Sequence, residues 1–163
     1  MASTLLGLLA CGKSDGGTPQ AQLKVTFDGK TTVYTNVTMS EGRLGPLSGL
    51  EISAKGAGNE YLSLFVYGTT AGTYPYRQDV NTYAQTSQVE YKTAGTVFSN
   101  YKARVCPTTS GYYSSTGQVV LDFYSANQVA KGTFSGTLLD QNDEDMCTTD
   151  GIPFSGEFFV TKD

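Results

Sequence analysis

The chain has 163 residues and a net charge of −4 at pH 7, enough for one domain with a single core and, lacking any block of Lys or Arg, a poor match for a nucleic-acid backbone. It contains neither His nor Trp. The first absence removes Ser-His-Asp and Cys-His catalytic units, imidazole zinc sites and any side chain that ordinarily titrates near neutrality. The second removes the broadest stacking ring, although 11 Tyr and 8 Phe remain.

At the N-terminus, Leu5 to Ala10 is apolar and ends at Cys11, followed by Gly12, Lys13, Ser14 and Asp15. The run Leu8-Leu9-Ala10-Cys11 resembles the lipobox of bacterial lipoproteins, which implies export and a lipid on the Cys11 thiol. No Lys or Arg precedes Cys11, and the apolar run is shorter than the roughly 7 to 15 residues of an ordinary secretory leader, so a plain apolar N-terminus with a free thiol is the other reading. Residues 1–11 are thus expected to be a signal with its lipidation cysteine, residues 12–22 a small, polar, flexible tether, and residues 23–163 the folded domain. Nothing elsewhere approaches the about 20 apolar residues of a membrane-spanning helix.

From Leu23 onward the apolar residues recur with period two and never with helical spacing. Leu23, Val25 and Phe27 share one parity, Asp28-Gly29 is a two-residue hairpin turn, and Val33, Val37 and Met39 are expected to continue the apolar face. Gly42-Arg43-Leu44-Gly45-Pro46 reads as a link to a short strand over Leu50–Ala54, and Gly56-Ala57-Gly58-Asn59 as the turn into Tyr61–Tyr67. That strand carries Leu62, Leu64 and Val66 on one face and Tyr61, Phe65 and Tyr67 on the other, which predicts a central position covered on both faces. Gln88–Lys92 turns Val89 and Tyr91 inward and pairs with Val97–Ala103; Gln118–Ser125 buries Val119, Leu121 and Phe123. Val129–Leu139 places Phe134 and Leu138 on one parity, and Ile152–Thr161 buries Ile152, Phe154, Phe158 and Val160. The expected fold is an all-β, antiparallel β-sandwich or partly closed β-barrel of about nine to ten short strands.

With Cys11 assigned to lipid, Cys106 and Cys147 form an even pair in an exported chain and are expected to be disulfide-bonded. Closing that loop of about 40 residues contributes roughly 3 to 4 kcal/mol by chain entropy. The stretch Asp140-Gln141-Asn142-Asp143-Glu144-Asp145 gathers oxygen donors, and Asp140, Asn142, Asp143 and Asp145 fit a calcium ion as they fit a solvated acidic loop; the EF-hand order is absent. Two Tyr-rich turns, Tyr74-Pro75-Tyr76 and Gly111-Tyr112-Tyr113, offer Tyr74, Tyr76, Tyr112 and Tyr113 for stacking on a sugar or partner, or for capping sheet edges. Asp79, Glu90, Asp122 and Glu157 are the carboxylates from which a glycosidase pair would be drawn.

Lys131-Gly132-Thr133-Phe134-Ser135-Gly136-Thr137, an acidic loop, and Thr149-Asp150-Gly151-Ile152-Pro153-Phe154-Ser155-Gly156, with Phe27-Asp28-Gly29-Lys30 and Gly72-Thr73-Tyr74 earlier, together resemble a pattern of uncharacterised small lipoproteins of the Bacteroidota. The resemblance implies a fold and a location but no activity. The function expected is therefore a lipid-anchored binding or assembly module of the cell envelope, at the outer membrane or cell surface, without catalytic activity. Its partner would be a protein or glycan, or a further copy joined by strand addition, and no cofactor beyond calcium is expected. The alternatives are a lipocalin-like carrier of a small apolar ligand, which needs an enclosed cavity, and a small carboxylate-dependent hydrolase, which needs two convergent acids.

Overall fold

The computed structural model describes residues 20–77, 83–94, 100–103, 105–108, 111–114, 116–126, 128–143 and 151–162, with backbone alone at 105–108 and 111–114. Among these residues there is no helix, and the strands in chain order are β1 (Gln22–Phe27), β2 (Lys30–Tyr34), β3 (Val37–Leu44), β4 (Leu47–Lys55), β5 (Tyr61–Val66), β6 (Gly72–Pro75), β7 (Ser87–Lys92), β8 (Asn100–Lys102), β9 (Val105–Thr108), β10 (Gly111–Ser114), β11 (Gly117–Ser125), β12 (Val129–Asp140) and β13 (Ile152–Thr161). The path β2-β1-β13-β12-β8-β7-β5-β4-β3 is one antiparallel sheet curled into a half-barrel; β11 adds to β12, β6 adds to β11, and β9 and β10 pair separately. The all-β expectation holds, with more strands than the sequence suggested.

Strand β12 makes the curl possible. Its residues Val129 to Leu138 pair with β13, whereas Leu139 and Asp140 pair with β8, so one strand passes from the first layer (β2, β1, β13, β12, β11, β6) into the second (β8, β7, β5, β4, β3). Leu138 and Leu139, which a regular strand would send to opposite faces, are both fully buried at the passage. Just before it, Gly136 faces Gly117 across the β11–β12 ladder, with φ of +141° and +144° respectively. A Cβ on Gly136 would strike the Thr116 carbonyl and the Tyr76 ring. Only glycine tolerates both the dihedral and the close approach.

The half-barrel closes over its own side chains. Leu23 and Val25 of β1, Leu50, Ile52 and Ala54 of β4, Leu62, Leu64 and Val66 of β5, and Phe134, Phe154 and Phe158 from β12 and β13 all turn inward and are buried. Rings bridge the layers, with Phe27 of β1 4.9 Å from Tyr91 of β7 and 4.7 Å from Tyr101 of β8, and within the first layer Phe134 stacks on Phe154 at 4.8 Å. At about 1.5 to 3 kcal/mol for each large apolar side chain buried, these inward rows are the main source of stability. Ser87, the buried polar residue among those described, donates from Oγ to the Tyr74 carbonyl at 2.8 Å, beside the bridge that links Tyr76 to Ser87.

Three sequence expectations are corrected by strand register. The Asp28-Gly29 turn forms as expected, with φ of +47° and +74°, but its register places Tyr34 opposite Leu23 and Val33 opposite Lys24. Tyr34 is therefore the inward residue, and Val33 is 55% exposed. Gly42 to Pro46 is no link: β3 continues to Leu44, Gly45-Pro46 forms a two-residue turn, and Leu44 pairs with Leu47, leaving Pro46 where it forfeits no ladder hydrogen bond. In β11 the register shifts between Leu121 and Phe123, so Asp122 is the extra residue of a bulge and Phe123 rotates outward to 53% exposure instead of joining Val119 and Leu121 inside.

Gly136→Ala is expected to destabilise the fold by about 3 kcal/mol, because a clash adds to an unfavourable backbone dihedral. In urea titrations of both variants, Gly42→Ala, with nothing within 4 Å of the added Cβ, is expected to stay within about 0.5 kcal/mol of the parent.

Candidate functional site

Residues that alternate with the core rows point outward, and on the second layer they form a mixed polar and aromatic face. Register aligns Ser63 of β5 with Glu90 of β7 and Lys102 of β8, and on the next rung Glu51 of β4 with Phe65 and Gln88. These side chains, with Tyr67 and Arg77, line a basin of about 530 Å³ open to solvent. β5 is central, as its two apolar faces suggested, but its outer rings are half-buried. The Phe65 ring sits against Gly49, where a Cβ would come within 2.6 Å of it.

Two carboxylates organise the floor. Glu51 Oε1 accepts from Ser63 Oγ at 3.1 Å and from Tyr61 OH at 3.3 Å. Glu90 is held between two ammonium groups, Lys92 and Lys102, each at 3.4 Å. These pairs are part-exposed, so each adds at most a few tenths of a kcal/mol; their effect is to hold donors and acceptors in place. Along one wall the rings form a ladder, Phe65 to Tyr67 at 4.6 Å and Tyr67 to Tyr83 at 5.0 Å, capped by the Arg77 guanidinium 4.7 Å above Tyr83. Burial raises the Tyr67 hydroxyl above the ordinary tyrosine range, Tyr83 adds to that, and Arg77 opposes it. The Thr86 hydroxyl donates to the Tyr83 carbonyl at 2.8 Å and fixes the turn that carries this ring.

The candidates read from sequence lie elsewhere. Tyr74 and Tyr76 are 5% and 1% exposed, so they fill the interior instead of offering rings to a partner. Tyr74 OH donates to the Thr70 carbonyl at 2.8 Å, and the Tyr76 ring occupies the corner at Gly117 and Gly136. Tyr112 and Tyr113 lie on β10 opposite Pro107 and Cys106, and their side chains are outside the described residues. So are Cys11, Cys147 and the Cys106 side chain, and with them the expected lipidation and disulfide. Asp140 Oδ1 accepts from the Asn142 amide at 2.9 Å, which makes a local turn of the first part of the acidic loop. Asp145 is outside the described residues; among those described, no three Cys, Asp or Glu side chains are grouped to hold a metal ion. Of the four carboxylates considered for hydrolysis, Asp122 and Glu157 lie on the first layer, Glu90 on the second, and Asp79 outside the described residues.

Sequence reasoning missed Glu51, Arg77, Tyr83 and Lys102 as site residues. Alternation along β4 and β8 marks Glu51 and Lys102 as outward, but Arg77 and Tyr83 lie off the strands, and nothing local says that β4, β5, β7 and β8 are neighbours. Comparison with protein-family models, with curated proteins and with solved structures finds no match to this chain. The class defined by the fold and this face is thus an all-β half-barrel with a filled interior and a polar, ring-walled basin on its outer surface.

Three tyrosines set an alkaline limit. Tyr91 OH donates to Glu60 Oε1 at 2.8 Å, and burial, reinforced by Glu60, pushes its pKa up to about 12. Burial, with Glu60 and Tyr91 alongside, holds Tyr34 protonated beyond that, and burial alone does so for Tyr76, whose hydroxyl is buried without a hydrogen-bond partner. A folded pKa above the unfolded value keeps this stability intact below about pH 10 and removes it as pH rises through the folded pKa, by up to about 1.4 kcal/mol per unit for each tyrosine. Absorbance at 295 nm is expected to show these three ionising only with loss of near-ultraviolet circular dichroism. Because its hydroxyl is unsatisfied, Tyr76→Phe is expected to raise stability by up to about 1 kcal/mol at neutral pH and to move the alkaline midpoint upward.

Proposed function

We propose that this chain is a non-catalytic binding module of a bacterial cell envelope, held to a membrane by lipid on Cys11, whose basin on the outer face of the second layer receives a glycan. The observation that carries the reading is the conjunction of fixed carboxylates, an amide and an ammonium group with a ladder of rings in one open basin. A sugar presents equatorial hydroxyls that both donate and accept, and an apolar ring face that stacks on tyrosine. Glu51 and Glu90 accept, Lys102 donates, and Gln88 does both. An open basin on a rigid sheet needs no rearrangement to bind, so little ordering cost is charged against affinity.

The alternatives find less support. A carrier of an apolar ligand needs room inside, and here the concave side is filled by ring-to-ring contacts between the layers, Phe27 and Phe154 of the first meeting Tyr91 of the second. For hydrolysis, the two basin carboxylates stand on strands either side of β5, roughly 10 Å apart in backbone, and both are already engaged by neighbouring donors. Strand addition would use β3, an edge strand, but Glu41 and Arg43 on it discourage pairing.

Titration of soluble oligosaccharides into isotopically labelled protein is expected to shift amides of β4, β5 and β7. Tyr67→Ala and Glu51→Gln should each weaken binding about tenfold, equivalent to about 1.4 kcal/mol. Binding of equal strength in both variants, or no binding by any glycan, overturns the assignment of the basin. The anchor is tested separately by the intact mass of the chain recovered from membranes: an acylated Cys11 at the N-terminus is expected, and an unmodified Met1 start rules it out.

A further inference from the structure

The outer face of the first layer has different chemistry. Strand register aligns Gln22 of β1, Phe159 of β13, Lys131 of β12 and Phe123 of β11 on one outward rung. The next outward rung carries Val33, Lys24, Glu157, Thr133 and Val120. Three large apolar side chains are well exposed among the described residues, and two of them, Val33 and Phe123, lie on these adjacent rungs with the half-buried Phe159 between their strands. Lys24 and Lys131 stand between the apolar points. The Lys24–Glu157 contact is 3.7 Å and well exposed, so it does little to keep that ammonium from another anion.

Gln22 is also where the chain joins the N-terminal segment, which places this face next to the attachment point. The peptide from Cys11 to Gln22 spans at most about 40 Å, and Phe123 is three strand spacings from Gln22, roughly 14 Å. We infer that this face, through Phe123, Phe159, Val33, Lys24 and Lys131, seats on the phospholipid headgroup layer of the membrane that holds the chain. The inference rests on the reading that Cys11 carries lipid. Rings at the headgroup level, with lysine stems extended along them toward phosphate, are how proteins lie on a bilayer surface. Tethering raises the local concentration of the bilayer, so a few weak contacts suffice. The seating would leave the basin, on the outer face of the other layer, turned toward solvent.

The lack of native Trp makes the test direct. The full chain carrying Phe123→Trp and an N-terminal hexahistidine tag is held on phosphatidylglycerol and phosphatidylcholine vesicles containing a nickel-chelating lipid. Attachment then does not depend on Cys11, and an unlipidated Cys11 fails the anchor without mimicking failure of the face. On vesicles the Trp emission is expected to shift to the blue and to lose about half its intensity to lipids brominated near the headgroup. Gln88→Trp, on the outer face of β7, is expected to show neither change. Adding Lys131→Glu to the Phe123→Trp chain is expected to reduce quenching about twofold. The inference is overturned if the Trp at position 123 is unchanged on vesicles, is quenched no more than the one at position 88, or is already shielded in the free chain.

Discussion

Strand β12 must satisfy β13 and β11 along most of its length and then β8 at its end, and this single demand shapes the molecule. A flat strand cannot serve two layers, so the chain bends where Gly136 meets Gly117, and Tyr76 fills the space that two absent side chains leave. Beyond the bend, the consecutive burial of Leu138 and Leu139 seals the seam between layers. The first and second layers can then face each other closely enough for Phe27 to touch both Tyr91 and Tyr101.

A seam of this kind leaves the interior committed to packing. Large rings meet across it, and the polar hydroxyl of Tyr76, drawn in with them, is tolerated at some cost. Chemistry is consequently found on the outer faces, where the pleat frees alternate residues from packing. The two faces differ in kind. One carries fixed carboxylates, ammonium groups and a ring ladder around a basin; the other carries exposed Phe123 and Val33 with lysines between, beside the point where the N-terminal segment joins. A module bound to a surface on one side and to a ligand on the other has use for such a division.

Much of the interior was legible in the chain. The inward positions of Leu23, Val25, Leu62, Leu64, Val66, Val119, Leu121, Phe134, Leu138, Phe154, Phe158 and Val160 follow from period-two alternation, and Asp28-Gly29 announced its own turn. Two of the failures share one cause. Val33 and Tyr34 exchange roles because a two-residue turn sets register by one position; Phe123 turns outward because one extra residue, Asp122, inverts the parity after it. The tyrosines at 74 and 76 looked like surface rings because their turn is polar and carries a proline, yet the corner at Gly117 and Gly136 draws Tyr76 inside.

By itself the sequence determined an antiparallel all-β domain, most of its core and its first hairpin, since alternation and turn chemistry are read over a few adjacent residues. Tertiary structure decided that Glu51, Ser63, Glu90 and Lys102 share one face, that β12 joins two layers, and that Phe123 lies on a rung with Lys131, Phe159 and Gln22. Those relations depend on which distant strands pair and in what register. Hydrogen-bond ladders and core packing settle that together, and no local pattern encodes it.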